Sequence, residues 1–395
     1  KTTYQGNNML KVGASMFANQ RKQKSYLTDT NGFTNPVYFS RLANPYIRVY
    51  DDSGNYVYDK NIQGKEDSSL DFNIFEERDN TSNQRTDRSL MAIFDAELRL
   101  TKDLKLTSQF GLQQDAYTIE RYAGENSYAM RKDKLFAEYA YADGKRTFLP
   151  TGGKHNVVEA HSSQWTWKAM TEYNKVFNRT HDLQVMLGTE VRRLKANSVS
   201  TTAYGYDNRT LTTQPVIFPT EDLARQYPLH KETNNENAYV SWFATGSYTA
   251  LARYTIGASI RWDGSDVFGV AKKDRFLPLY SLSGLWRVSN EPFIQNSNAK
   301  KWLNNLALRA SYGLQGNIDK NTSPYLIGTF NRVSILPNKV ETVIAAEPGP
   351  NPNLRWEKTA NINLGFDVSL FNNAINLSAD YYYRKSSDLI GTHML

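Results

Sequence analysis

The chain has 395 residues, 47 Lys+Arg against 40 Asp+Glu for a formal charge of +7, and no Cys. Without Cys it can build no disulfide scaffold, thiolate zinc centre, iron–sulfur cluster or Cys nucleophile. No run of about 18 apolar residues offers a transmembrane helix, and the opening Lys1-Thr2-Thr3-Tyr4 shows no signal peptide.

The charge excess is scattered. Its densest run, Arg21-Lys22-Gln23-Lys24, is short and alone, so no nucleic-acid partner is expected. Only 40% of residues are hydrophobic, yet 13% are aromatic, which suits strands with one apolar and one wet face better than helices.

Period 2 runs along the chain and a sustained 3.6 period appears nowhere. Leu10, Val12, Ala14 and Met16 open the series. Leu90, Ala92, Phe94, Ala96, Leu98 and Leu100 follow, with Asp95, Glu97 and Arg99 between them. After Thr101-Lys102-Asp103 the alternation resumes at Leu104, Leu106, Phe110 and Leu112, which reads as a hairpin. Trp165, Trp167, Ala169 and Tyr173 pair in the same way with Leu183, Val185, Leu187 and Val191. Ala238 to Tyr248 turns near Ala250 into Ala252, Tyr254, Ile256, Ala258, Ile260 and Trp262. Tyr280 to Val288 leads to Leu306–Tyr312, and Ala360–Val368 crosses Phe371-Asn372-Asn373 to Ile375–Tyr383. That makes about eleven strands of roughly ten residues.

Connections within these pairs are mostly short. Those between pairs are long: about 19–88, 113–163, 194–236, 263–278 and 314–357. Structureless loops of that length are uncommon in compact domains. An up-and-down transmembrane barrel, with tight turns on one side of the membrane and large loops on the other, produces this alternation from one cause. A sheet can cross lipid only if it closes on itself, strands of 9 to 11 residues suit a tilted span, and the Trp and Tyr near strand ends suit interfacial girdles. The expected fold is therefore all-β: part of a large antiparallel transmembrane barrel.

Several stretches then resemble one family in its own order. They are Asn44-Pro45-Tyr46 with Tyr50-Asp51-Asp52-Ser53-Gly54-Asn55-Tyr56, Ile260-Arg261-Trp262-Asp263-Gly264-Ser265 with Phe268-Gly269, and Ser283 to Phe293. Leu308 to Asn317, Asn351 to Lys358 and Asp380 to Leu389 complete the set. Together they resemble the SusC/RagA-type TonB-dependent outer-membrane transporters over residues about 35–60 and 250–390. The resemblance implies a barrel of about 22 strands preceded by an N-terminal extension, a TonB box and a plug. On this reading residues 1–395 are one partial barrel domain, about half of the wall, lacking those three parts and the last strands.

Enzyme chemistry finds no support. His155, His161, His181, His230 and His393 have no metal-ligand spacing, so neither a metal site nor any cofactor is expected. Asp51-Asp52-Ser53-Gly54-Asn55 lacks the 12-residue calcium register and reads as a turn. Thr151-Gly152-Gly153-Lys154 fails the phosphate-loop spacing, and no Gly-x-Ser-x-Gly occurs. No catalytic residue is assigned and no ligand-binding residue is identified. If the even positions of 90–100 meet lipid, Asp95, Glu97 and Arg99 line the lumen, and by the same parity so do Arg253, Thr255, Ser259 and Arg261.

By resemblance the chain is expected in a bacterial outer membrane of Bacteroidota type as a multi-pass barrel. There it would import an oligosaccharide or peptide with a SusD-type surface lipoprotein as lid and the TonB complex as motor. Two alternatives stay open: a soluble β-rich glycan-binding or glycan-cleaving protein, and a TonB-dependent receptor for a siderophore, haem or cobalamin.

Overall fold

The computed structural model describes residues 2–6, 9–28, 32–63, 69–266, 276–317, 328–336, 339–346 and 357–389. Phe268-Gly269, Asn351 to Trp356 and His393 lie outside the described residues. In chain order the strands are β1 (Thr2–Gln5), β2 (Leu10–Ser25), β3 (Asp59–Gln63), β4 (Ser69–Phe72), β5 (Thr81–Arg99) and β6 (Leu104–Ala123). Then come β7 (Glu138–Tyr141), β8 (Gly144–Thr147), β9 (Gly153–Phe177), β10 (His181–Tyr206), β11 (His230–Ala250) and β12 (Tyr254–Ser265). The last six are β13 (Phe276–Arg287), β14 (Leu303–Asn317), β15 (Gly328–Leu336), β16 (Lys339–Ala346), β17 (Glu357–Leu370) and β18 (Ile375–Ser387).

Twelve of them form a single sheet in the order β1-β2-β5-β6-β9-β10-β11-β12-β13-β14-β17-β18, each strand pairing with the next of the twelve along the chain. The pairs β3–β4, β7–β8 and β15–β16 are separate hairpins inside the long connections. The sheet thus holds one strand more than the sequence predicts, the short β1.

Register carries the alternation across the wall, because directly opposed residues share a face. One row reads Phe94↔Phe110↔Trp167↔Val191↔Val240 over β5, β6, β9, β10 and β11. The row one residue away reads Asp95↔Gln109↔Lys168↔Glu190↔Ser241↔Asp263 and reaches β12. The first face presents exposed Leu187, Trp242, Ile256, Leu282 and Leu364, which suits contact with hydrocarbon. The second carries most of the charged and polar side chains, with a few apolar ones such as Ile93, Met186 and Phe243 among them.

Tight turns close β5–β6, β9–β10, β11–β12 and β17–β18 at one end of the sheet. Asn178-Arg179 and Leu251-Ala252 hold positive φ at both central positions, with Thr180 N–H donating to Phe177 O (3.1 Å) and Arg253 N–H to Ala250 O (2.9 Å). This is the type I′ geometry whose twist matches that of the strands. The β13–β14 connection is longer and carries α5 (Pro292–Gln295).

The strands are longer than their alternation suggests. β9 has 25 residues and β10 has 26, against the 9 to 11 a span needs. The connections expected at 113–163 and 194–236 shrink to 124–152 and 207–229. Above the lipid both faces meet polar surroundings, so Gln114 to Tyr122 and Lys154 to Gln164 keep their ladder hydrogen bonds while losing the apolar/polar pattern.

The long connections pack at the opposite end around short helices: α1 (Pro36–Leu42), α2 (Ile74–Asn80), α3 (Tyr128–Phe136) and α4 (Glu221–Gln226). Each starts on a side-chain cap: Asn35, Asn73, Ser127 and Thr220 accept from backbone N–H groups of the first turn. The buried apolar clusters are here. Leu70, Phe72, Ile74 and Tyr128 form one, Met130, Ala137, Phe148, Leu149 and Tyr204 the other, and α3 contributes to both. Phe72 touches Phe33 and Tyr128 edge-on, at ring separations of 4.9 and 5.2 Å. Asp51-Asp52-Ser53-Gly54-Asn55 is a turn: Asp51 Oδ1 accepts from Ser53 and Asn55 N–H, and Gly54 has φ +84°.

Candidate functional site

The polar face carries two linked features: the row from Asp95 to Asp263, and a pocket of about 500 Å³ where β6, β9 and β10 rise beneath α3. The pocket floor comes from same-face residues of the three strands, Arg121, Asn156, Ser200 and Thr202. Asn156 is its hub: its Oδ1 accepts from Arg121 Nη1 at 3.0 Å, and its Nδ2 donates to Ser200 Oγ at 3.1 Å and Thr202 Oγ1 at 3.0 Å. Asn156 is thereby held through both the oxygen and the nitrogen of its amide.

The roof is set by charge. Lys154 Nζ donates to Asp133 Oδ2 at 2.7 Å and stands over the Tyr204 ring. Burial alone would lower the Lys154 pKa, but the Asp133 carboxylate and Tyr204 outweigh it and the net direction is upward, so the ammonium is retained. Glu77, only 1% exposed, accepts from Tyr128 N–H at 2.6 Å and Ala129 N–H at 3.3 Å, at the first turn of α3. Burial pushes its pKa up to about 7 in spite of those donors. Glu76 is tied to Arg131 (2.9 Å) and to Tyr58 Oη (2.8 Å), so α2 and α3 are clamped together over the wall.

All but Arg253 of the residues expected from sequence to line the lumen sit on the polar face, in two separated groups. Asp95 lies across from Gly13, where a Cβ would come within 2.3 Å of its carboxylate, so glycine leaves the room this side chain occupies. Glu97 and Arg99 pair with each other at 2.8 Å. On β12, Thr255 bonds Thr249 (2.9 Å), Ser259 bonds Ser281 (2.7 Å), and Arg261 reaches Asp263 (2.6 Å) and Ser241 (2.9 Å). Arg253 lies just outside the strand, in the β11–β12 turn, 3.5 Å from Glu291. Glu291 also accepts from Tyr254 Oη (2.5 Å) and Trp286 Nε1 (2.9 Å), and these donors draw its pKa down. β5 and β12 are five strand spacings apart, roughly 24 Å along the sheet. The two groups share a row without converging.

Sequence reasoning missed Glu77, Arg121, Asp133, Lys154, Asn156, Ser200 and Thr202. They lie where the apolar alternation has ended, and no spacing rule marks a pocket whose parts come from three strands and two loops. Among the described residues no three His, Cys, Asp or Glu side chains gather as a metal site.

Comparison with known proteins decides the family. Residues 14–394 match the TonB dependent receptor-like, beta-barrel family. The chain belongs to that family. TonB-dependent receptor barrels of this kind reside in the outer membrane, which places the exposed Leu, Trp and Tyr of the apolar face in lipid. As in such barrels generally, the tight turns are periplasmic and the long loops extracellular.

TonB-dependent receptor P26 of Formosa agariphila is 27% identical over 248 residues, 62% of this chain and 24% of that protein. TonB-dependent receptor SusC of Bacteroides thetaiotaomicron is 26% identical over 264 residues, 64% of this chain and 25% of SusC. The aligned stretches thus amount to about a quarter of the length of these curated relatives. The RagAB peptide importer in its closed-closed state superposes with a TM-score of 0.74 at 20% identity, covering 98% of this chain and 39% of that one. At that identity the match establishes the shared barrel-wall fold.

Proposed function

We propose that this chain is a wall and loop segment of a TonB-dependent importer for an oligomeric nutrient, a glycan or a peptide. A SusD-type surface lipoprotein closes over the extracellular loops, and the TonB complex drives opening from the periplasmic side. The observation that carries the reading is the roofed pocket at the loop end of the polar face. Arg121, Asn156, Ser200 and Thr202 there offer donors and acceptors in a fixed array, which suits the hydroxyls of a sugar chain or the amides of a peptide. The polar row beneath it supplies a wettable wall along which such a ligand passes without shedding its water into an apolar surface. SusC and the RagAB peptide importer are relatives of the same architecture, and no covalent step is needed.

The test starts from the intact receptor, tagged and extracted from its native outer membrane, with bound molecules and co-purifying proteins identified by mass spectrometry. A surface lipoprotein together with an oligosaccharide or oligopeptide is the expected finding. An iron chelate, haem or cobalamin with no lipoprotein would overturn the reading. Arg121→Ala and Asn156→Ala should each lower uptake of the identified oligomer about tenfold, since each removes one or two hydrogen bonds of about 1 kcal/mol.

A further inference from the structure

On the lipid side of the wall, successive outward rows are two residues apart, and grooves run between them over the backbone of the intervening row. Within the apolar band such a groove is flanked by Tyr254, Trp286 and Phe366 on one side and Ile256, Leu364 and Tyr381 on the other, a lining suited to acyl chains. A second groove, of about 1090 Å³, has the same construction across β2, β5, β6, β9, β10 and β11, but most of its lining residues are polar. Its lower row runs Ala18↔Leu90↔Gln114↔Ser163↔Lys195↔Glu236. In the upper row Gln20 pairs with Arg88, and His161 with Asn197. The small side chains Ala18, Ala116 and Ser163 leave the groove open between its longer walls.

Height fixes what this groove meets. Arg88 stands seven residues beyond Asp95, the middle of the 90–100 band. At about 3.4 Å per residue and a tilt of about 45° it lies roughly 17 Å from the midplane, against a hydrocarbon half-thickness of about 15 Å. The groove therefore opens at the extracellular headgroup level. The charge there is positive: Arg88, Arg193 and Lys195 face out against the single carboxylate Glu236, which binds Arg193 and, at 3.2 Å, Lys195. Among the described residues Arg88 has no ion-pair partner. Asp115 borders the groove through its backbone, and its carboxylate is held on the other face by Gln113 (2.7 Å). One row further out Glu159 and Glu232 outnumber Lys22, so the basic strip lies between hydrocarbon and a row of net negative charge.

We infer that this groove is a docking site for the phosphorylated sugar headgroup of an outer-leaflet glycolipid, with phosphate on Arg88 and Lys195 and sugar hydroxyls on Gln20, His161 and Asn197. Arg presents a fork that matches phosphate oxygens, and each cation near an anionic lipid surface is worth about fivefold in binding. The site lies on the wall's outer side and is independent of what the lumen transports.

The experiment uses the intact receptor in nanodiscs with bisphosphorylated lipid A as the probe, and bound lipid counted by native mass spectrometry. Arg88→Gln combined with Lys195→Gln should weaken lipid A retention about 25-fold. Lys105→Gln, on the opposite face of the wall, should leave it unchanged, and heat-modifiable gel mobility confirms that each variant folds. Dephosphorylated lipid A should bind the unaltered receptor as weakly as the intact lipid binds the double variant. Equal retention of lipid A by the double variant, or of the dephosphorylated lipid by the unaltered receptor, would overturn the assignment. Displacement by millimolar inorganic phosphate alone would also overturn it, by reducing the groove to a free-anion site.

Discussion

The lower wall and the loop module above it are built from one chain by opposite rules. In the wall, large apolar side chains are the exposed ones: Leu187 is 54% and Leu364 51% accessible, and the polar rows face inward. In the loop module Phe72 is 1% and Met130 0% accessible, as in any water-soluble core. The wall draws its cohesion from the hydrogen-bond ladder, which lipid leaves no alternative to. The module, which meets water, draws its own from packing. The surrounding solvent, more than the residue types, decides which side of the backbone is the inside.

Two substitutions break this contrast most sharply. Phe72→Ala removes a fully buried ring from the loop core and should cost about 3–5 kcal/mol there. In the intact receptor that would appear as fast hydrogen exchange and new protease sites in residues 124–152, while the barrel keeps its heat-modifiable mobility. A simultaneous loss of the barrel would mean that wall and module do not fold separately. Leu187→Arg places a charge on the lipid face and should cost about 2–4 kcal/mol of barrel stability. Met186→Arg, one residue away on the polar face, should cost little. Equal costs at 186 and 187 would contradict the assigned parity.

Glu77 sharpens the comparison, because among the described residues only the module has a carboxylate buried deeply enough to titrate near neutrality. Its folded pKa is raised from 4.5 to about 7 by burial, so the folded module binds the proton more tightly than an unfolded one. Stability from this group is full below about pH 4.5, falls as pH rises towards 7, and is lost above, with a span of up to about 3 kcal/mol. Hydrogen exchange of the α3 amides should therefore accelerate between pH 4.5 and 7 beyond the intrinsic rate. Glu77→Gln keeps an acceptor for Tyr128 N–H and should flatten that dependence. An unchanged profile in the variant would assign the pH response to another group.

The wall was legible in the sequence because lipid on one side and water on the other imprint a period of 2. Leu90–Leu100, Trp165–Tyr173 and Ala360–Val368 could be placed on strands, and their hairpin partners named, from that imprint alone. Beyond it the same strands continue through Arg121, Asn156 and Ser200 with no periodic mark, since both faces there are polar. The short helices were invisible for a related reason. At six to nine residues they span at most about two and a half turns, too few to show a 3.6 period, and they exist because Asn35, Asn73, Ser127 and Thr220 cap them. The pocket gathers residues that only the register between β6, β9 and β10 makes neighbours. That Asp95, Glu97, Arg99, Thr255, Ser259 and Arg261 share one face of the sheet could be set out from alternation. Their separation into two groups could not, because strand order across the sheet adds distance that a list of residues does not contain.

The smallest expected effect lies at the periplasmic turns, where neither lipid nor core packing decides the energy. Leu251 and Ala252 both hold φ +53°, a conformation that costs a residue with a Cβ about 1–2 kcal/mol. The type I′ turn demands it regardless, to keep β11 and β12 in register. Ala252→Gly removes the clash and adds back about 0.5–1 kcal/mol of unfolded-state entropy, so the net gain should be between a few tenths and about 1 kcal/mol. Urea unfolding of the intact receptor in detergent can resolve it as a small rise in the midpoint at constant slope. Ala252→Val, with a branched side chain at the same positive φ, should shift the midpoint the other way. If both substitutions moved it in one direction, turn strain would not be what sets the stability at that end of the wall.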